Sequence, residues 1–247
     1  MPYPALDMTL AAVLVTLLLA GLVRGFSGFG TGMVAIPVLA AAHDPVTAVV
    51  VVAIVDSLPQ LPAALPVLKY ARWREVLPLA AGAILLLPAG LAVLRLGDPL
   101  VLRWVICLSV LAGLAALASG WRYHGPRPPL LSGGVGAAAG FLGGIAGIPG
   151  PPPVLYWMAS PEPQGVIRAN LMALFLLLEI ATLANVVMSG MVNGERLMLG
   201  IAGAPVYLAG ILAGRALFPL ASPATYRRLA FAVILFAVIT ALPLWNG

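Results

Sequence analysis

The chain is poor in charge. Only 9% of its 247 residues are Asp, Glu, Lys or Arg, against about 25% in soluble domains, so a water-facing globule of this composition would lack a polar coat. Cysteine is almost absent. The single Cys107 excludes an intramolecular disulfide and argues against a Cys-ligated metal cluster. Two histidines, His43 and His124, stand far apart without metal spacing or a partnered nucleophile. Lys+Arg (13) exceed Asp+Glu (8), yet no basic run exceeds Arg227-Arg228. Basic residues set singly between apolar segments are the pattern of topogenic loop charges, so nucleic acid is not an expected partner. Strand-like alternation persists nowhere, which removes a membrane β-barrel.

What the chain has is apolar length. Hydrophobic residues make up 62% of it. A bilayer core of roughly 30 Å needs about 20 apolar residues per spanning helix, so the lipid bilayer is the expected partner and little chain remains for a soluble domain. Gly/Pro clusters and the rare charges divide the sequence into long apolar segments at about 8–24, 46–68, 76–96, 99–120, 131–147, 164–190, 197–217 and 224–244. Two shorter ones, about 31–42 and 150–160, each follow a glycine-rich break, and a 12-residue helix of about 18 Å cannot span alone. The first apolar segment has no basic stretch before it. It reads as a retained transmembrane helix rather than a cleaved signal peptide.

The chain repeats itself. Gly25-Phe-Ser-Gly-Phe-Gly-Thr-Gly32 stands 115 residues before Gly140-Phe-Leu-Gly-Gly-Ile-Ala-Gly147, with glycine in register at 25/140, 28/143 and 32/147. A one-residue slip then aligns Pro37-Val-Leu39 with Pro153-Val-Leu155, and Asp44-Pro45 with Ser160-Pro161. The expected architecture is an all-α polytopic membrane protein of two repeats, 1–120 and 131–247, joined by a polar linker at 121–130. Each repeat holds a Gly-broken helix hairpin, one long helix and one short, plus three long transmembrane helices. If each hairpin contributes two passes, the second repeat is inverted. Lys69, Arg72, Arg74, Arg122, Arg127, Arg168, Arg215, Arg227 and Arg228 then share one side, against Arg95, Arg103 and Arg196 on the other. Parallel repeats would divide the basic residues evenly. The positive-inside rule therefore favours inversion, a cytoplasmic linker and both termini outside.

Broken helices paired across an inverted repeat point to a binding site near the bilayer midplane. Irregular backbone is tolerated there only when buried or lining a cavity, and the start of a short helix presents unsatisfied N–H groups and a positive dipole end to an anion. The candidates at the first break are Arg24, Gly28, Gly30, Thr31 and Gly32. At the second they are Gly143, Gly147, Gly150 and Pro151. The plainer reading is that these glycines let helices approach closely. Three consecutive prolines, Pro151 to Pro153, predict a fixed non-helical turn with free carbonyls, or else a stiff surface connection. Asp56 and Glu179 lie within apolar runs, where carboxylates mark ion or proton relays or pair structurally with Arg. Arg168 and Asn170 open the helix that carries Glu179, and a guanidinium beside a helix end suits an oxyanion. For Arg168 a cytoplasmic loop charge serves equally well. Trp73, Trp104, Trp121, Trp157 and Trp245 stand near segment ends, where interfacial belts place aromatics.

The paired glycine motifs, with Pro37 after the first and Gly150-Pro-Pro-Pro153 after the second, resemble the sulfite exporter TauE/SafE family over nearly the whole chain. The resemblance implies a bacterial or archaeal inner-membrane exporter of small anions such as sulfite and organosulfonates. The sequence departs from a fully Gly-rich pattern at Phe29 and Thr31, and prolines replace the later glycines of the second copy. The expectation is thus a transporter of a small anionic substrate, with Arg24, Arg168 and the two short-helix starts binding it and Asp56 or Glu179 coupling to a proton. No cofactor or metal is called for, and a homo-oligomer is left open. An intramembrane enzyme would need a nucleophile–base pair or metal cluster, and neither is visible. The remaining rivals are a non-transporting assembly subunit and a passive anion channel.

Overall fold

The computed structural model describes residues 8–158, 160–217 and 223–244, with side chains inside its helices except those of 26–27, 58–64, 223–224 and 226–227. Residues 1–7, the Arg227 side chain and Trp245, all read above from sequence, lie outside the described residues. Among the described residues every regular element is helical. The order is α1 (Met8–Ser27), α2 (Thr31–Ala42), α3 (Pro45–Ala64), α4 (Trp73–Leu96), α5 (Pro99–Ala118), α6 (Pro129–Ala146), α7 (Pro151–Trp157), α8 (Gln164–Met188), α9 (Gly194–Leu217) and α10 (Pro223–Ala241). A 3-10 turn, Leu68–Tyr70, precedes α4. Six of these helices are long and apolar enough to cross a membrane. Leu85, Leu96, Met188 and Ile201 stand exposed on them, as side chains facing acyl chains would. This is a multi-pass membrane protein.

Local chemistry sets the helix ends. Asp98 caps α5 by accepting from the N–H groups of Leu100 (2.9 Å) and Val101 (3.0 Å), with Pro99 at the first helical position. Asp44 does the same for α3 through Thr47 N–H (2.8 Å) ahead of Pro45. Carboxylate caps and first-turn prolines cost the helix nothing, because those N–H groups have no intrahelical acceptor. The same logic corrects one expectation. Pro151, Pro152 and Pro153 do not make a non-helical turn: they are the first turn of α7, where a missing N–H removes no helix bond. The short segment is also shorter than 150–160, and α3 stops at Ala64 before the 3-10 turn rather than running to 68.

Two intimate helix pairs hold the bundle. Helix α1 lies on α9, and α4 on α6. In both, glycines at helical spacing replace side chains at the crossing. A methyl at Gly21 or Gly25 would overlap the carbonyls of Tyr207 or Ile211, and one at Gly210 or Gly214 would overlap those of Leu18 or Leu22. In the second pair, Gly136, Gly140 and Gly144 meet the carbonyls of Leu79, Ala83 and Leu87. Without a hydrophobic force between helices in lipid, such close backbone approach supplies van der Waals contact. The plainer reading of Gly25 and Gly140 is therefore the structural one. Helices α3 and α8 pack on each other between these pairs and on α9 and α4 respectively.

Candidate functional site

The two breaks meet inside the molecule. Gly30 enters α2 with φ 101°, and Gly147 leaves α6 with φ 63°, left-handed conformations that glycine adopts without steric cost. Gly32, in the first turn of α2, lies against the Gly147 carbonyl so closely that a methyl there would overlap it. Beside this contact opens a cavity of about 70 Å³. Drug-sized ligands occupy pockets of about 300–1,000 Å³, so this one suits a small ion. Its wall is mostly apolar, with Met33, Val52, Leu87, Phe175 and Leu178 among its residues.

One polar cluster faces it. Arg24, at the end of α1, forms an ion pair with Asp56 of α3, Nη1 to Oδ2 at 2.9 Å, and both side chains are largely buried. The hydroxyl of Tyr207, from α9, donates a short hydrogen bond to the other carboxylate oxygen of Asp56. That hydroxyl also meets Thr31 Oγ1 at 2.7 Å, and Arg24 Nη1 lies 3.5 Å from the same Thr31 oxygen. Glu179 of α8 lines the cavity within electrostatic reach of Asp56 and Arg24, with Ser57 as a hydrogen-bond partner. A buried ion incurs a desolvation penalty of several kcal/mol, and a pair offsets it only when further hydrogen bonds satisfy the remaining atoms. Here Tyr207 and Thr31 provide those bonds. The start of α2 adds donors: the first turn of a helix has N–H groups without intrahelical acceptors, and Thr31, Gly32 and Met33 all line the cavity. Helix α7 cannot match this, because its first three residues are prolines.

The structure brings together Arg24, Gly30, Thr31, Gly32, Asp56, Gly143, Gly147, Gly150, Pro151 and Glu179 around one cavity. It sets the other candidates apart. Gly28 is exposed and off the wall, Arg168 is exposed on the first turns of α8, and Asn170 is buried but faces a loop. Tyr207 was missed by sequence reasoning. Its signal was faint, one phenol between Gly203 and Gly210 in an apolar helix, yet its ring is completely buried and a buried tyrosine hydroxyl needs a partner.

The sequence model of the family described as sulfite exporter TauE/SafE matches residues 13–242. The chain belongs to the TauE/SafE family. Among curated relatives, the protein named probable sulfite/organosulfonate exporter TauE of Cupriavidus necator is 29% identical over 218 residues, which cover 85% of this chain and 84% of that one. No solved structure matches. Members of the family are membrane transporters rather than enzymes.

In this TauE/SafE protein a second polar cluster secures the far end of α7. The Trp157 indole donates to Glu75 (3.1 Å), and Asn170 donates to the same carboxylate oxygen (3.5 Å) while accepting from Arg72 N–H (2.7 Å). Arg72 pairs with Glu162 at 2.5 Å. Arg127 donates to the carbonyls of Tyr156 (3.2 Å) and Tyr123 (3.1 Å) beneath the stacked rings of those two residues. These bonds explain Asn170: it satisfies the chain entering α4. At the end of α2 the comparable work falls to Arg196, which donates to Thr47 Oγ1 (2.9 Å) and the Met191 carbonyl (2.6 Å) and lies 3.8 Å from Asp44.

Proposed function

We propose that this protein exports a small sulfur-containing anion, sulfite or an organosulfonate, by alternating access through the cavity between the two breaks. The observation that carries the reading is the Arg24–Asp56 pair facing a small, largely apolar cavity beside the donor-bearing start of α2. A guanidinium offers planar, bidentate hydrogen bonds to an oxyanion. The TauE/SafE membership and the name of the C. necator relative support the substrate class and the direction. The binding group comprises Arg24, Thr31, Gly32 and the glycine and proline walls. Asp56 and Glu179 couple the step to a proton, since a carboxylate paired with Arg24 must lose its charge or its partner before an anion takes that place.

The same proposal includes two inverted repeats, 1–120 and 131–247 about a cytoplasmic linker at 121–130, with both termini outside the inner membrane. Its support is the helix order long, short, long, long, long, which occurs twice, and the reciprocal packing of α1 on α9 and α6 on α4. Rocking of one repeat against the other would then open the midplane site to each side in turn. Flux in proteoliposomes tests the function. Wild-type protein should carry sulfite and methanesulfonate, Arg24→Ala should abolish both, and Arg168→Ala should leave both intact. Absence of flux in wild type sinks the substrate class, whereas full flux in Arg24→Ala sinks the site.

A further inference from the structure

We propose that the bodies that move during transport are two exchanged units, each made of three helices of one repeat closed by the fourth helix of the other, which part along the α3–α8 contact. This rests on the reading of alternating access and redraws the line along which the molecule opens.

The packing divides the helices in this way. The first unit is α1, α2 and α3 with α9, and the second is α6, α7 and α8 with α4. Each repeat thus lends its fourth helix: α9 lies on α1 and α3, and α4 lies on α6 and α8. Helices α5 and α10 flank the two units and touch each other. The glycine-lined crossings of α1 with α9 and of α4 with α6 lock the exchange at backbone level, and Gly200 of α9 seats Ile54 of α3. A polar clasp then fastens each lent helix at its start. Arg196, in the first turn of α9, reaches Thr47 Oγ1 at 2.9 Å and Asp44 at 3.8 Å, at the entrance of α3. Arg72, immediately before α4, pairs with Glu162 at 2.5 Å at the entrance of α8, and its N–H donates to Asn170. The two clasps occupy matching places. In each, an arginine at the start of one repeat's fourth helix meets a carboxylate ahead of the other repeat's third helix.

A boundary drawn between the repeats would break all of this. Tyr207 would leave Asp56 and Thr31, Trp157 and Asn170 would leave Glu75, and both clasps would open. Buried polar groups and charges left unmatched are strongly destabilising. A boundary between the exchanged units breaks none of these bonds. It runs through α3 and α8, whose contact is made of side chains: α3 has no glycine, and a methyl on Gly165, in the first turn of α8, would meet nothing. Helices packed through side chains can slide on one another, the form that shear between domains takes. One stripe of each helix borders the cavity, Val49, Val52 and Asp56 on α3 and Phe175, Leu178 and Thr182 on α8. Arg24, Thr31, Asp56 and Tyr207 all belong to the first unit, so the polar group travels as one piece. Glu179 meets it from the second unit, hydrogen-bonded to Ser57 across the seam. The contact of Gly32 with the Gly147 carbonyl joins the units at the cavity wall and serves as the fulcrum.

Spin labels at four exposed positions test the division in full-length Cys107→Ser protein in lipid nanodiscs: Met8 on α1, Leu96 on α4, Leu130 on α6 and Leu212 on α9. Met8→Cys with Leu212→Cys, and Leu96→Cys with Leu130→Cys, each join different repeats within one unit. Met8→Cys with Leu96→Cys, and Leu130→Cys with Leu212→Cys, each join different units within one repeat. Saturating methanesulfonate should shift the last two distance distributions by several ångströms in pulsed electron paramagnetic resonance and leave the first two unchanged. The reverse pattern, or a shift in all four, overturns the exchanged units with alternating access intact. No shift in any pair, in protein shown to carry methanesulfonate, overturns alternating access and the units with it. A second measurement fixes the clasps. Linking Asp44→Cys to Arg196→Cys, or Arg72→Cys to Glu162→Cys, with a short reducible thiol reagent should leave methanesulfonate flux at the level of the same unlinked variant. Flux lost on linking and regained on reduction would put the motion inside a unit and overturn the proposal.

Discussion

At the first break the chain passes through Gly30 into a helix whose opening residues, Thr31, Gly32 and Met33, all keep their N–H groups. At the second it passes through Gly147 into a helix opened by three prolines that have none. The register of 115 that aligns the two motifs sets Arg24 opposite Ala139, which is buried and carries no charge. Polar side chains are concentrated at one break, and the other supplies a stiff, proline-opened wall whose Gly147 carbonyl presses against Gly32. A repeated scaffold therefore does not imply a repeated site. Two similar broken helices place one polar cluster at their junction, and Glu179 is the one charged residue of the second half that lines the cavity among the described residues.

The contrast is open to breakage in order of expected effect. Replacing Asp56 or Arg24 alone by leucine leaves a buried charge unmatched and should destabilise the protein by about 3–5 kcal/mol, while the double replacement should recover much of that loss. Denaturant titration in detergent micelles would compare the three. Next comes Gly32→Ala, whose methyl would overlap the Gly147 carbonyl. Backbone cannot yield as a flexible side chain does, so a loss of about 1–3 kcal/mol is expected, with the cavity deformed and anion flux reduced. On the proline side, Pro151→Ala should change stability by less than about 1 kcal/mol, because the N–H that it restores lies in the first turn and breaks no bond. If Pro151→Ala reduced flux as strongly as Arg24→Ala, the division between a polar break and a passive wall would fail. The smallest effect belongs to Arg168→Ala, an exposed position, where stability should stay within about 0.5 kcal/mol and transport should be unaltered.

Much of this was legible in the chain. Apolar length and the two glycine motifs anticipate ten helices in their order, because in lipid each segment must satisfy its own backbone and so announces itself by composition. Asp56 and Glu179 were legible for a related reason, since a carboxylate inside an apolar run has few ways to be tolerated. Asn170 and Arg168 misled because nearness to a helix start in sequence does not say which way a side chain points. Asn170 turns to the chain entering α4, and Arg168 to the outside. The prolines misled because three in a row are fatal within a helix but harmless at its start. Tyr207 stayed hidden because its partners, Asp56 and Thr31, are 151 and 176 residues away, brought to it by the packing of α9 on α1 and α3.

The claim that an anion occupies the cavity between the breaks is tested most directly by protection. Thr182 lines that cavity and takes no part in the ion pair. In a Cys107→Ser background, a cysteine replacing Thr182 should react with a small maleimide several times more slowly when methanesulfonate saturates the protein. The protection should vanish once Arg24→Ala is added. A labelling rate indifferent to the anion, in protein shown to transport it, would contradict the account and move the site elsewhere.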